Sequence, residues 1–493
     1  MMALFQNQTP RRWMAPASLL LPLLLAGCNF APKYNRPTVN TPASFKEAAK
    51  PSTGATNLWQ LAQPGDALAR GKWWELFGDP ELNKLEEQVA VSNQNVAAAF
   101  ANFMAARAIV NETRAQLFPI VTANGNLTRS RIPLSNFRGT SVAGATTISQ
   151  YSLPLDASWQ LDLWGRVRNS IQASAFEAQA TRADLENTKL SAQAELATAF
   201  FQLRSQDVLA QLYADTVKAY LDSYNLTKVR FQTGIASDED IAQAETQLRT
   251  AQAQATNLGV LRAQLEHAIA MLTGQAPAAL SLPQNAAVPA SPSVPPGVPS
   301  ELLQRRPDIA AAERRVAEAN ARIGVAKAAF YPTLTLSGAA GLQSASSATL
   351  LEWSSRVWSV GAAAAETVFD AGLRKATVEQ FRAEYDLTVA QYRQVVLTAF
   401  QQVEDDLASL RILGDQEQQQ QAAVEAAQQY LNLALNRYKL GIDSYLNVIT
   451  AQTTYLQNRQ TLVTLRMQRL TSSVQLIEAI GGAWNASQLS AKD

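Results

Sequence analysis

Cysteine and histidine are almost missing: the 493-residue chain holds one of each, Cys28 and His267. A structural zinc site takes about four Cys or His ligands, and a histidine-based triad needs a placed imidazole with its partners. Most metal and acid–base chemistry is therefore excluded. No nucleophile–base pair or phosphate loop is found, so neither catalysis nor a cofactor is expected. Charge is also scarce, at 17% of residues against roughly 25% in an ordinary soluble domain. With 42 Lys+Arg against 41 Asp+Glu, no net field steers the chain to nucleic acid. Beyond the N-terminal segment, no run approaches the roughly 18 apolar residues of a spanning helix. Gln, Asn, Ser and Thr supply the polarity instead.

The N-terminus reads as an address. Arg11 and Arg12 precede an apolar stretch from Trp13 to Leu25, interrupted by Pro16 and Pro22 and ending Leu25-Ala26-Gly27-Cys28. This is a secretory signal, too short and too broken to span a membrane. Its end is similar to the bacterial lipobox, in which the cysteine becomes the first residue and carries acyl chains. Position 29 is Asn, not the Asp of inner-membrane retention, so the expected destination is the Gram-negative outer membrane.

The chain repeats itself. Arg230-Phe231-Gln232-Thr233-Gly234 returns as Arg437-Tyr438-Lys439-Leu440-Gly441, and Gly165 and Gly274 return as Gly372 and Gly481 at the same offset of 207. Ala115 to Pro119 matches Ala328 to Pro332 at 213, which places six extra residues in the first copy between Pro119 and Gly165. The expected organisation is a signal segment at 1–27, an extended segment at 28–79 and a first repeat at 80–275 with a hairpin at about 118–164. A Pro-rich linker at 276–299, a second repeat at 300–482 with a hairpin at about 331–370, and a tail at 483–493 complete it.

Each copy reads helix, two strands, long helix, interruption, helix. Asp79-Pro80-Glu81 offers an N-cap, Pro at N1 and a first-turn acid, opening a helix expected to run to about Gln116. A second helix is expected from about Arg166 to Phe231, where there is neither Pro nor Gly. Gly234 and Gly441 are suited to end helices, and Ser237 with Asp240 to start the next. The recurring break is read as an architectural kink. Between the helices the period changes to two: Tyr151, Leu153, Leu155, Ala157, Trp159, Leu161 and Leu163 alternate with Ser152, Pro154, Asp156, Ser158, Gln160 and Asp162. Aromatics gather at the strand ends. Such strands suit either a half-buried soluble hairpin or a transmembrane β-barrel, and the export signal favours the barrel. Two hairpins give four strands, whereas the smallest bacterial barrels have eight. Open edges are not tolerated in hydrocarbon, so the chain must oligomerise.

The run Arg305-Arg306-Pro307-Asp308-Ile309 through Phe330-Tyr331-Pro332, with Trp73-Trp74-Glu75-Leu76-Phe77-Gly78-Asp79-Pro80 and Ile480-Gly481-Gly482-Ala483-Trp484, closely resembles the TolC/NodT class of outer-membrane efflux lipoproteins. The resemblance covers essentially the whole mature chain. It implies a mostly α fold with membrane β, in which a trimer closes a twelve-stranded barrel joined to a long antiparallel α-helical barrel. It also implies a passive exit channel for small toxic compounds, lipid-anchored through Cys28. The implied partners are a periplasmic adaptor protein, an inner-membrane resistance-nodulation-division pump and outer-membrane lipid, with no nucleic acid. An exit duct for type I protein secretion and a structural outer-membrane lipoprotein are the alternatives.

A duct open to the outside must close at its periplasmic end. The long helices are expected to turn near Arg204–Asp207 and Arg411–Asp415. Candidate gate residues are Leu203, Arg204, Asp405, Asp406, Leu407, Leu410, Arg411 and Asp415, each becoming a ring of three in a trimer. His267 is expected to be a packed or surface residue, and Gln416 to Gln421 a solvated helix face.

Overall fold

The computed structural model describes residues 29–48, 71–133, 145–287, 289–292, 294–295 and 297–490. The signal segment and Cys28 lie outside the described residues, as do parts of the N-terminal segment, the first hairpin's turn, the linker and the tail. The longer helices are α1 (Pro80–Ser92), α2 (Gln94–Ala115), α3 (Arg166–Gln232), α4 (Asp238–Leu272), α5 (Pro307–Ala328), α6 (Leu373–Lys439) and α7 (Tyr445–Ala479). The strands are β1 (Ile120–Ala123), β2 (Asn126–Pro133), β3 (Ala145–Leu161), β4 (Thr333–Ser344) and β5 (Arg356–Ala365).

The duplication holds at the level of single residues. Helices α3 and α6 are each 67 residues long, α4 and α7 each 35, and all four boundaries recur at the offset of 207. Helices α2 and α5, 22 residues each, recur at 213, which assigns the six extra residues to the first copy's hairpin. The chain forms two compact units. One comprises 105–178 and 314–390 with the first N-terminal residues and carries all five strands; the other comprises 38–104, 179–313 and 391–493.

In the strand-bearing unit, the sheet order is β1-β3-β4-β5, with β2 also on β3 and every pairing antiparallel. Segments β1 and β2 are one strand interrupted. Ala123 faces Leu155 and Asn126 faces Ser152 in an unbroken register. Asn124 donates its N–H to the Pro154 carbonyl at 3.0 Å, but proline has no N–H to return, so the ladder lapses there. On the other side of β3, Gly341 lies against Leu153 and Pro154. A Cβ at Gly341 would stand 2.6 Å from the Pro154 Cα, so only glycine permits this approach.

The helical unit is built on a core where Trp73, Trp74 and Phe77 from a short helical turn meet Phe200, Phe201 and Ile269. Burying each such side chain contributes about 1.5–3 kcal/mol. The single helix expected from Asp79 to Gln116 is in fact two, broken at Asn93. The Asn93 carboxamide oxygen accepts from the N–H groups of Asn95 (2.9 Å) and Val96 (3.2 Å), and its Nδ2 donates to the Leu272 carbonyl at 2.8 Å. Asn93 is a local N-cap signal with no Pro or Gly beside it, and the partner that fixes the break is 179 residues away.

The recurring interruption is a full reversal, not a kink. Gly234 and Gly441 both sit at φ +76°. Ile235 N–H donates to Arg230 O (2.8 Å) and Gly234 N–H to Phe231 O (2.9 Å), the paired bonds of a Schellman ending, and Ile442 and Gly441 repeat them. Ser237 and Asp240 then form a reciprocal capping box. These caps define helix ends but not the direction of departure. Packing sets that: Asp207 in α3 meets Arg262 in α4 at 2.7 Å, and Tyr220 packs on Leu248 and Ala251. In the second copy, Arg466 of α7 reaches back to Glu417 of α6 at 2.9 Å. Both copies are antiparallel helical hairpins. His267 is exposed, as are Gln416, Gln418 and Gln419, while Gln420 bonds to Asn458 and Gln421 to Glu425.

Candidate functional site

The strand registers put a continuous apolar band on one face of the sheet. Val121, Ala123 and Leu127 align with Tyr151, Leu153, Leu155, Ala157, Trp159 and Leu161 of β3. These continue into Leu334, Leu336, Ala340 and Leu342 of β4, and then Trp358, Val360, Ala362 and Ala364 of β5. The opposite face carries Thr122, Asn126, Ser152, Asp156, Ser158, Thr335, Ser337 and Ser359. The apolar band gives way at one end of the sheet to Arg129, Arg131, Ser149, Ser344 and Arg356 on the same face. An apolar band with charged residues at its end, backed by a small polar face, suits lipid on one side and water on the other. Aromatic side chains fasten the strand ends: Trp164 Nε1 donates to the Pro332 carbonyl (2.7 Å), and Phe30 stacks on Tyr331 at 4.2 Å. The outer strands β1/β2 and β5 each pair on one side only among the described residues, leaving two open edges.

The reversals at 233–237 and 440–444 move the helix ends away from where the sequence placed them. Arg204–Asp207 and Arg411–Asp415 lie inside continuous helices, so the expected turns there are corrected. Within one chain the eight candidate gate residues consequently stand in different surroundings. Leu203 and Arg204 are wholly buried. Arg204 donates to Asp207 (3.2 Å), to the Pro283 carbonyl (3.0 Å) and to Glu81, and stacks over Phe200. Asp207 also accepts from Arg262 and from the Asn285 N–H, fastening the Pro-rich linker to α3 and α4.

In the second copy, the acids serve two different contacts. Glu404 accepts the N–H groups of Lys46 (2.7 Å) and Glu47 (2.9 Å), while Arg411 pairs with the Glu47 carboxylate at 2.6 Å. With Phe45 buried, this clamp holds the N-terminal segment on α6. The sequence reading missed it, because a four-residue contact across more than 350 positions has no periodic signature. Asp405 and Asp406 line a cavity of about 460 Å³ with Ser191, Arg306, Asp308 and Glu478. Burial pushes the Asp406 carboxyl up to about 7, with Asp405 and Glu478 adding to the shift and Arg306 opposing it. Burial also raises Glu478, against the hydroxyl of Ser191 donated at 2.8 Å. Leu407 and Leu410 are half-buried on α6, and Asp415 is exposed.

Near the reversals, the second copy instead presents exposed apolar residues: Leu440 (75%), Ile442 (58%) and Leu446 (58%). Arg437 braces this turn through Asp443 at 2.6 Å. Glycine spacing located the turn, and the alternative of a reversal would have placed these residues at its tip. Among the described residues no helix is long and apolar enough to cross a membrane.

Comparison with known proteins agrees with this geometry. A family model described as outer membrane efflux protein matches residues 85–275 and 298–482, one segment per repeat. The toluene efflux pump outer membrane protein TtgC of Pseudomonas putida is 35% identical over 463 residues, covering 94% of both chains. The antibiotic efflux pump outer membrane protein ArpC of Pseudomonas putida shows the same identity and coverage. Among solved structures, the outer-membrane channel OprN superposes with a TM-score of 0.84 at 28% identity, covering 92% of this chain and 99% of that one.

Proposed function

Because this chain belongs to the outer membrane efflux protein family, we propose that it works as a homotrimer whose three sheets close one twelve-stranded barrel. It is an outer-membrane efflux channel. The observation that carries the trimer is the pair of open edges on a four-strand-wide sheet with a broad apolar band on one face. Such edges are not stable in hydrocarbon, two copies would give a side-chain-filled eight-stranded barrel, and three give twelve strands with a lumen. The small polar face then lines water. The duct does no work of its own; a periplasmic adaptor and an inner-membrane resistance-nodulation-division pump supply cargo and energy. That cargo consists of small toxic compounds of the kind for which the relatives are named, antibiotics and toluene. Cys28 carries the lipid anchor.

The periplasmic constriction lies at the helical reversals, where Leu440, Ile442 and Leu446 are exposed, and not at Arg204 or Arg411. In a trimer these become apolar rings that exclude water and ions.

Light scattering of the detergent-solubilised protein tests the assembly. The expected mass is near three times the 53.4 kDa precursor, less the cleaved signal. A monodisperse monomer that still conducts ions in a planar bilayer would rule the trimer out. Cys28→Ser should abolish labelling by a lipid precursor.

A further inference from the structure

We infer that the lipid-facing side of each joint between strands of neighbouring copies holds a site for the phosphate groups of an outer-leaflet lipid. It is built from Arg356 and Trp358 of one copy with Arg129 and Arg131 of the partner subunit, and it rests on the trimeric reading above. Charge is sorted along the strands. At the helix end, acids find bases in the chain itself: Asp162 pairs with Arg168 at 3.1 Å and Glu366 with Arg374 at 3.0 Å. At the far end stand Arg129 and Arg131 on β2 and Arg356 on β5, all exposed. Among the described residues no carboxylate pairs with these three. Arg356 lies over the Trp353 ring, and Glu352, the one acid between β4 and β5, accepts from the Ser354 hydroxyl at 3.4 Å.

The three arginines share the face of the apolar band, because Arg129 stands opposite Ser149, Arg131 opposite Thr147 and Arg356 opposite Leu342. The inner strands supply no charge at that end, where β3 has Thr147 and Ser149 and β4 has Ser344. The bases therefore sit only on the two edge strands, and in a closed ring β5 of one copy adjoins β2 of the next. The β3–β4 joint within the chain gives the level at which they meet. Its Tyr151–Ser344 and Leu153–Leu342 pairs correspond, at the offsets of 207 and 213, to Trp358 opposite the partner's Arg131 and Val360 opposite the partner's Arg129. Arg356, two residues from Trp358 on the same face, is then a diagonal neighbour of the partner's Arg131 at about 7–8 Å.

Like charges at that spacing repel unless an anion lies between them. A guanidinium binds phosphate oxygens through two parallel N–H groups, and its weak hydration suits it to a head-group boundary. Trp358, 77% exposed, and Trp353, 83% exposed, supply the indole surface that belongs at the same depth. The arginines adjoin the apolar band, so one molecule can set its phosphate on them and its acyl chains on Leu336, Ala340 and Val360. A phosphorylated lipid has both parts; a free anion has only the first.

Native mass spectrometry of the full-length, detergent-solubilised protein tests this, with bisphosphorylated lipid A as probe and its dephosphorylated form as control. The unaltered protein should bind three bisphosphorylated lipids per trimer. The dephosphorylated lipid should bind at least about tenfold more weakly, the loss of one charge-assisted contact. Arg356→Gln and Arg129→Gln/Arg131→Gln should each weaken binding by about the same factor at all three sites. If a variant fails to assemble, the two lipids compared on the unaltered protein still decide. Equal binding of both lipids, or variants that bind like the parent, would overturn the site while light scattering still reports a trimer. Six lipids per trimer, three lost with each variant, would overturn the shared joint. Displacement by inorganic phosphate would mark a free-anion site instead. A monomer by light scattering would overturn the trimer and the joint together.

Discussion

Glu86 offers a sharp test of the helical core. It lies on the buried face of α1 with Leu82, Leu85 and Val89, wholly inaccessible, and neither carboxyl oxygen meets a hydrogen-bond partner. Burial alone raises its pKa well above the usual carboxylate range, so the folded chain holds the proton. The unfolded chain releases it near pH 4.5. Stability linked to Glu86 is therefore greatest below that pH and is lost as pH rises toward the folded pKa. An unpaired buried polar group also costs about 1–3 kcal/mol whatever its charge. Glu86→Leu removes both costs and fills similar space with apolar atoms. The variant should be more stable by about 1–3 kcal/mol at pH 8, with a smaller gain at pH 5. Unfolding followed by tryptophan fluorescence is suitable, because Trp73 and Trp74 are buried in the core that α1 helps to form. Scans at one rate across pH 5–8 compare the two proteins. A variant less stable than the parent at both pH values, with the parent's pH slope intact, would refute the reasoning.

Three further outcomes are expected. Asp406 titrates near 7 when folded against 3.8 ordinarily, so its contribution is lost as pH rises between those values. Asp406→Asn should flatten the fall in unfolding midpoint from pH 5 to pH 8, by up to about 2 kcal/mol after allowing for partial exposure, and parallel slopes would count against it. Gly341→Val forces a side chain into the Leu153–Pro154 backbone and should abolish the heat-resistant oligomer on denaturing gels; a parental oligomer yield would contradict the strand register. Arg204→Met, which leaves Asp207 with Arg262 and the Asn285 N–H but frees the Pro283 carbonyl, should destabilise by about 1–3 kcal/mol without raising single-channel conductance. A leaky but stable channel would return the gate to Arg204.

Local chemistry explains what could be read directly from the residues. The alternation from Tyr151 to Leu163 names a strand face because side chains alternate with period two, and the registers then extend its apolar band onto β4 and β5. The duplication was legible because each helix end needs a left-handed residue: Gly234 and Gly441 share φ +76°, and no other residue adopts it as cheaply. The strand count was equally local, and with it the need for more than one copy. The direction of the chain after those glycines was not, since a cap ends a kinked helix and a reversed one alike. Only the packing of Tyr220 on Leu248 and the Asp207–Arg262 pair chose the hairpin. The candidate site suffered from the same blindness. Arg204 looks like an exposed helix position in sequence, yet Glu81 and Pro283, 123 and 79 residues away, hold it buried, and Leu203 beside it joins the core of Trp73 and Phe77. Arg411 reads as a charge in a lumen until Glu47, 364 positions earlier, is seen to hold it. Periodicity and capping act over three to seven residues and so are written in the chain itself, whereas burial belongs to whichever distant segments tertiary folding brings together.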